Sequence, residues 1–142
     1  MQANKPVSGG CQCGAIRYQL RGESKMLYAC HCKDCQKQSS SAFGMSLIVT
    51  PQSLHFVSGE DRIRAWDTRG GDGNIKRCHF CADCGTRIYH ASDRPGDDIS
   101  IKAGTLDDPS WLAPAAHLWT DSAQPWSTIP AGVTTFAKNP KG

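Results

Sequence analysis

The chain has no long apolar run and no strong charge of either sign. Residues 1–6 are polar and lack the apolar stretch of a secretory signal peptide, and no later run approaches the roughly 20 apolar residues of a membrane-spanning helix. The 16 Lys and Arg residues against 13 Asp and Glu leave a net charge of +3, too small for an electrostatic footprint on nucleic acid. We therefore expect a cytoplasmic protein with no membrane and no nucleic-acid partner.

Sustained helical periodicity is also scarce. The 14 glycines and 8 prolines divide the chain into short apolar stretches. This pattern predicts a mainly β fold with short helical turns, and 142 residues fit one domain. In the stretch 15–20, Ile16, Tyr18 and Leu20 occupy alternate positions, which predicts one buried strand face.

Further short apolar stretches predict the remaining strands. The predicted strands are residues 15–20, 26–30, 43–50, 54–57, 63–68, 75–80, 86–91, 99–103 and 117–120. We expect the strand at 26–30 to pair antiparallel with the strand at 15–20. Helical turns are predicted around residues 33–39 and 108–112, and residues 137–142 are expected to form a loose tail.

Cysteines stand out against this background, since seven of the eight fall in three tight groups. The groups are Cys11 with Cys13, Cys30 with Cys32 and Cys35, and Cys81 with Cys84, and Cys78 lies just before the last. A disulfide framework would suit an even number of cysteines, but a chain of this size in a reducing compartment does not need one to fold. The spacing is typical of thiolate metal ligands, which favour Zn²⁺, or iron in reducing conditions.

The three groups predict two metal sites that differ in kind. The two cysteine pairs together complete a closed site of four thiolates, in which a metal holds distant segments together. The Cys11–Cys13 pair can chelate only if the backbone between the two residues bends out of strand geometry. The three-cysteine group has no equally evident fourth ligand, and three protein ligands with an open position are typical of a catalytic zinc.

Charge limits the chemistry of the three-cysteine site. Zn²⁺ with three thiolates carries a net charge of −1 and is a weaker Lewis acid than zinc with three neutral histidines. Water, with a pKa of about 16, is then hard to deprotonate. A thiol, with a pKa of about 8.5, ionises far more readily. We therefore expect this site to capture or activate a thiol substrate rather than water.

Several motifs extend the pattern beyond the cysteines. They are GGCQCGAIRY at 9–18, CHCKDCQ at 30–36, FCADCGT at 80–86, GTLDDP at 104–109, HLW at 117–119 and PW at 125–126. In this order, over about residues 7–127, they resemble the glutathione-dependent formaldehyde-activating enzymes, which are grouped with the centromere protein V domain. The resemblance implies a small tent-like β fold arranged around zinc.

The same resemblance implies ligands and an activity. The implied structural-zinc ligands are Cys11, Cys13, Cys81 and Cys84. The implied catalytic-zinc ligands are Cys30, Cys32 and Cys35. Two zinc ions per chain follow, with the second site open to partial occupancy. The implied reaction joins glutathione to formaldehyde as S-hydroxymethylglutathione, a carbon–sulfur lyase activity, so the expected partners are a small thiol and an aldehyde.

Two other classes of protein compete with this interpretation. In a non-catalytic zinc-stabilised module that binds nucleic acid or protein, both sites would be structural, and Lys76, Arg77 and Arg87 near the last cysteine pair favour this alternative. A redox Cys-x-x-Cys protein is disfavoured, because no strand-then-helix pattern surrounds Cys81 and Cys84.

The remaining candidates have structural explanations. Cys78 is expected to pack as a small buried thiol. His31 lies between two ligands, so we expect its side chain to point away from the metal and to make a structural hydrogen bond. His117, Trp119 and Trp126 are expected to form an aromatic cluster in the core. The basic residues available for the carboxylates of glutathione are Arg17, Lys33, Lys37, Arg87 and Lys102.

Overall fold

The computed structural model describes residues 5–140 and is mainly β, as predicted. The strands of this part of the chain are β1 (Val7–Gly10), β2 (Arg17–Leu20), β3 (Met26–Cys30), β4 (Gly44–Val49), β5 (Leu54–Ser58), β6 (Ile63–Arg69), β7 (Ile75–Cys81), β8 (Arg87–Ser92), β9 (Ile99–Lys102), β10 (Ala116–Leu118) and β11 (Thr134–Phe136). One α-helix, α1 (Lys33–Ser39), connects β3 to β4. Short 3₁₀ turns occupy Pro51–Ser53, Glu60–Arg62, Ala103–Thr105 and Thr120–Ser122.

The strands form two sheets. One has the order β1-β2-β5, and the other has the order β11-β10-β3-β4-β9-β8-β7-β6. Neighbouring strands are antiparallel, except that β10 runs parallel to both β3 and β11. Within residues 5–140, no helix combines the length and the hydropathy that a membrane crossing requires.

A shared apolar core lies between the two sheets. Ile16, Tyr18 and Leu20 are fully buried, so the predicted alternation of this strand is confirmed. They pack in one cluster with residues of the larger sheet such as Leu47 and Ile101. The smaller sheet therefore covers one face of the larger one.

The opposite face of the larger sheet is polar. Tyr28 on β3 lies opposite Ser46 on β4, which lies opposite Lys102 on β9. In the next row, Ser100 on β9 lies opposite His90 on β8. Because side chains alternate along a strand, the residues that flank the core residues project to this second face. The fold thus separates an apolar face from a polar one within a single sheet.

Most predicted elements agree with the structure within one or two residues, but one predicted pairing is wrong. The strand at 26–30 does not pair with β2, because β2 lies between β1 and β5 while β3 lies between β10 and β4. In the short connection, Arg21 N donates to Ser53 O at 2.9 Å and Lys25 N donates to Ile48 O at 2.8 Å. These bonds lead the chain from one sheet into the other instead of closing a hairpin.

Two segments near the C-terminus, residues 108–112 and the expected tail at 137–142, also differ from the prediction. Residues 108–112 form a hydrogen-bonded turn, with Leu112 N donating to Pro109 O at 3.0 Å, and no helix. Of the expected loose tail, residues 141–142 lie outside the described residues. The described part is attached to the end of β10, since the indole Nε1 of Trp119 donates to Asn139 Oδ1 at 2.7 Å.

Gly59 provides a test of the contact that supports the turn between β1 and β2. Its φ is +80°, and a β-carbon there would lie 1.9 Å from the carbonyl oxygen of Ala15. We expect Gly59→Ala to lower the free energy of unfolding by about 3 kcal/mol or more, since left-handed strain and steric overlap add. Gly96 also has positive φ, at +84°, but no atom within 4 Å of such a carbon. Gly96→Ala should therefore cost only about 1 kcal/mol in chemical denaturation. Equal costs would contradict the steric explanation.

Candidate metal centres

The Cys11 pair lies in the tight turn that joins β1 to β2. Cys11 N donates to Ile16 O at 3.1 Å, and Gly14 N donates to Cys11 O at 3.1 Å. Gly14 adopts a φ of +82°, a conformation that favours glycine. The Sγ atoms of Cys11 and Cys13 lie 3.6 Å apart. The bend that chelation by this pair requires is therefore present.

The Cys81 pair lies in a similar turn, which joins β7 to β8. Cys81 N donates to Thr86 O at 3.0 Å, Gly85 N donates to Cys81 O at 2.8 Å, and Gly85 has a φ of +80°. Asp83 N donates to the sulfur of Cys81 at 3.4 Å. The hydroxyl of Thr86 donates to Cys84 Sγ at 3.2 Å, and this hydrogen bond lowers the pKa of Cys84 to about 6. Such donors favour the thiolate form that a metal needs.

The two turns bring four cysteines together, as predicted. The sulfurs of Cys11, Cys13, Cys81 and Cys84 all lie within 4.8 Å of one another. Tetrahedral zinc with Zn–S bonds of about 2.3 Å separates its sulfurs by about 3.8 Å. The distance from Cys13 Sγ to Cys81 Sγ is 3.8 Å. This donor set therefore fits a four-thiolate metal ion that would link the two sheets.

The second group forms where β3 gives way to α1. The sulfurs of Cys30, Cys32 and Cys35 lie within 4.8 Å of one another. Cys32 caps α1, and its sulfur accepts a hydrogen bond from Cys35 N at 3.3 Å. Hydrogen bonds from the thiols of Cys30 and Cys35 lower the pKa of Cys32 to about 2, whereas the bond with Cys32 raises the pKa of Cys30. Three sulfurs this close together are a donor set that suits a soft metal ion.

The three-cysteine group keeps the ligand count that the sequence predicts. Among residues 5–140, no fourth His, Cys, Asp or Glu ligand atom joins it. It opens instead onto a cavity of about 560 Å³ on the polar face of the larger sheet. The cavity lining includes the three cysteines together with Tyr28, Ser46, His90, Ser100 and Lys102. The group is thus accessible to a small molecule from one side.

A loop and the C-terminal segment form the other wall of the cavity. The β6–β7 hairpin loop contributes Gly70, Gly71 and Asp72, and the C-terminal segment contributes Trp119 and Asn139. The loop and the segment touch, because a β-carbon on Gly71 would lie 2.6 Å from Trp119 Cζ2 and 3.2 Å from Asn139 Nδ2. The space above the cysteines is therefore bounded by segments that are distant in sequence.

Lys102 brings a positive charge to this cavity. It is only 7% exposed, and its ammonium lies 3.3 Å from Ser46 Oγ. A β-carbon on Gly44 would lie 3.4 Å from Cys35 Cβ and 3.6 Å from Lys102 Nζ, which places the ammonium near the three-cysteine group. Burial lowers the pKa of Lys102, while the sulfurs of Cys35 and Cys30 oppose that shift.

His90 lies in the same wall and is buried. Burial, followed by the charges of Lys102 and Lys76, lowers the pKa of His90 to about 2. The imidazole is therefore neutral at physiological pH. Its Nε2 lies 3.2 Å from Arg87 Nη1, and since the guanidinium can only donate, His90 Nε2 is the acceptor.

The structure selects among the predicted basic residues. Of the five candidates for a carboxylate, only Lys102 lines the cavity, and Arg17 instead pairs with Asp107. Lys76 also lines the cavity, although the sequence linked it only to a nucleic-acid alternative. The sequence contains part of the information needed to find Lys76. Alternation along the predicted strand 75–80 places Lys76 and buried Cys78 on one face. Which other strand that face meets is not visible in the sequence.

The histidine and cysteine predictions hold. His31 is fully buried, lies outside both cysteine groups, and has its Nε2 2.9 Å from His117 Nδ1. The carbonyl of His31 accepts from Gln36 Nε2 at 2.7 Å, and the imidazole Nδ1 is buried without a hydrogen-bond partner among the described residues. One ring nitrogen thus makes the expected buried hydrogen bond. Cys78 is 1% exposed on β7 and joins neither group, as expected of a packing thiol.

The predicted aromatic cluster is wrong. His117 is buried, but Trp126 is 73% exposed and Trp119 lines the cavity. Trp119 directly follows β10 and has a φ of +57°, which turns its side chain out of the strand pattern.

Comparisons with known proteins agree with this geometry. The family described as glutathione-dependent formaldehyde-activating enzyme matches residues 6–122. The crystal structure of a Rhodobacter sphaeroides protein is similar in fold, with a TM-score of 0.54 and 16% sequence identity over 92% of this chain and 99% of that one. At this identity the likeness concerns the fold alone.

Metal content tests the two cysteine groups. We expect the wild-type chain to bind two metal ions and Cys84→Ser to bind one, with a loss of at least about 3 kcal/mol in the free energy of unfolding. Cys32→Ser should also bind one ion but remain folded, because serine is a good helix cap. Cys78→Ser is the control and should bind two. Mass spectrometry of the purified variants measures the metal, and a loss of metal in Cys78→Ser would contradict the assignment.

Proposed function

The chain belongs to the glutathione-dependent formaldehyde-activating enzyme family, and from this premise we propose that it joins a thiol to a small aldehyde beside Cys30, Cys32 and Cys35. The thiol is glutathione, and the aldehyde is formaldehyde or a small relative. The product is an S-hydroxymethyl thiol adduct, and the activity is of the carbon–sulfur lyase class. The observation that carries the proposal is a three-sulfur group that faces a cavity of about 560 Å³.

The two cysteine groups have different roles in this proposal. Cys11, Cys13, Cys81 and Cys84 hold a structural zinc, and Cys30, Cys32 and Cys35 hold a catalytic zinc. When bound by three thiolates, zinc supplies a positive charge that favours the ionised form of a substrate thiol. A reducing cytoplasm, in which free thiols persist, suits this chemistry.

The reaction itself makes few demands on the protein. The substrate sulfur attacks the aldehyde carbon, a C–S bond forms, and the C=O π electrons move to oxygen. The proton that the thiol released then returns to that oxygen, so the hemithioacetal contains all atoms of both substrates. The hydroxyl groups of Ser46, Ser100 and Tyr28 line the cavity and are available as hydrogen-bond donors to the developing oxyanion.

Exchange NMR of glutathione with formaldehyde tests the proposed activity. We expect the wild-type protein to raise the exchange rate of S-hydroxymethylglutathione above the uncatalysed rate. Cys32→Ser should return the rate to the uncatalysed value, because one ligand of the three-cysteine group is lost. The matched control Cys78→Ser keeps both groups and should retain the wild-type rate. An uncatalysed rate with the wild-type protein would sink the proposal.

Zinc content before and after addition of glutathione separates the enzyme from a zinc-stabilised binding module. The enzyme should contain one zinc that ignores glutathione and one that responds to it, since only the three-cysteine group is open to a thiol. Two zinc ions that both ignore glutathione, together with a salt-dependent affinity for DNA, would support the binding module instead.

A further inference from the structure

We propose that the cavity beside Cys30, Cys32 and Cys35 recognises a thiol that carries carboxylates, and that Lys76 and Lys102 are the cationic groups that bind it. This inference rests on the proposed function, because it assigns residues to the thiol partner of that reaction. It goes further because it names the part of the thiol substrate that the protein recognises, namely the carboxylates away from the sulfur.

The buried ammonium of Lys102 is the first observation that supports this inference. A buried ammonium is costly unless an anion or several hydrogen bonds compensate it. Lys102 is 7% exposed, and its one side-chain hydrogen bond is to Ser46 Oγ, at 3.3 Å. Among residues 5–140, no carboxylate lies within ion-pair distance of Lys102 or of Lys76. Both lysines therefore face the cavity without a carboxylate partner, and the negative charges that act on Lys102 come mainly from the sulfurs of Cys35 and Cys30.

The acidic residues of the cavity do not cancel this charge. Asp98 is paired with Lys25, its two carboxylate oxygens each lying 2.9 Å from the ammonium. Asp72 accepts a hydrogen bond from Asn74 N at 2.9 Å, is exposed, and has no cation within ion-pair distance among residues 5–140. Arg94, which also lines the cavity, pairs with Asp97 at 3.0 Å. Two lysines therefore stand against one carboxylate without an ion-pair partner, so the lysines are in excess.

The strand order places the two lysines on either side of a neutral group. Lys102 lies on β9 and Lys76 on β7, and buried His90 lies on β8 between them. The two ammonium groups are thus separated by one strand, in the same wall as the three sulfurs. An extended ligand with its sulfur at the cysteines can present a carboxylate to this wall.

Charge distinguishes glutathione from an uncharged thiol. Zinc with three thiolates has a net charge of −1, and a captured thiolate makes it −2, whichever thiol supplies it. Away from its sulfur, glutathione carries two carboxylates and one ammonium, a further net charge of about −1 near neutral pH. These carboxylates are the groups that the two lysines can bind.

Calorimetric titration of the zinc-loaded full chain with three probes tests the inference. Glutathione has both the thiol and the carboxylates, S-methylglutathione keeps the carboxylates but has no thiol, and glutathione diethyl ester keeps the thiol but has no carboxylates. We expect Lys76→Met and Lys102→Met each to lower the affinity for glutathione and for S-methylglutathione about tenfold. This is the loss typical of removing a hydrogen bond between charged groups. Affinity for the diethyl ester should change by less than about threefold.

A matched control removes a lysine outside the cavity. Lys37 is exposed on α1 and does not line the cavity. Lys37→Met should therefore bind all three probes as the wild type does. Circular dichroism and zinc content confirm that each variant is folded. Because Lys76 is only half-buried, Lys76→Met keeps the test valid even if the Lys102 variant fails to fold.

The outcomes separate this inference from the proposed function. Unchanged affinity of Lys76→Met for S-methylglutathione would overturn the inference, whatever the rate of adduct exchange. Absence of S-methylglutathione binding to the wild type would overturn it as well. If the exchange rate is uncatalysed but the lysine variants lose affinity for S-methylglutathione, the proposed reaction fails while the anion site stands.

Discussion

The four-cysteine group links two hairpins that belong to different sheets. The β1–β2 turn comes from the smaller sheet and the β7–β8 turn from the larger one, yet their sulfurs lie within 4.8 Å of one another. Thr86 ties the turns further, because its hydroxyl accepts from Gln12 N at 3.1 Å and contacts Cys84. A structural zinc can contribute about 10 kcal/mol, comparable to the whole stability of a small domain. A zinc ion bound by these four sulfurs would therefore hold together the two sheets that enclose the core.

The larger sheet places its core residues on one face and its cavity residues on the other, because side chains alternate along each strand. Leu47 and Ile101 face the core, whereas Ser46 and Lys102, one position away along the same strands, face the cavity. A buried core requires close packing, and a binding site requires polar groups that are not fully satisfied within the protein. Alternation provides both from one set of strands. The β6–β7 loop and the C-terminal segment then form a second wall of the cavity on the polar face.

The charged and neutral groups that line the cavity determine which ligands it can bind. Among the described residues, the cavity brings together three sulfurs, the neutral imidazole of His90 and two lysines without carboxylate partners. Of the two acids in its lining, Asp98 is paired with Lys25, while Asp72 has no ion pair in the described part of the chain. This charge pattern is the basis of the proposal that the site binds an anionic thiol, and the weak Lewis acidity expected of zinc with three thiolates supports that proposal.

The sequence alone determined the β class, the helix at 33–39, the buried alternation of Ile16, Tyr18 and Leu20, and the grouping of cysteines that could hold metal ions. These features depend on spacing within a few residues, which a sequence displays directly. The tertiary structure alone decided that β2 and β3 enter different sheets, that Trp119 turns toward the cavity, and that Lys76 and Lys102 line the same cavity as the three-cysteine group. Such outcomes depend on strand order and on contacts between residues far apart in the chain, which local periodicity does not encode.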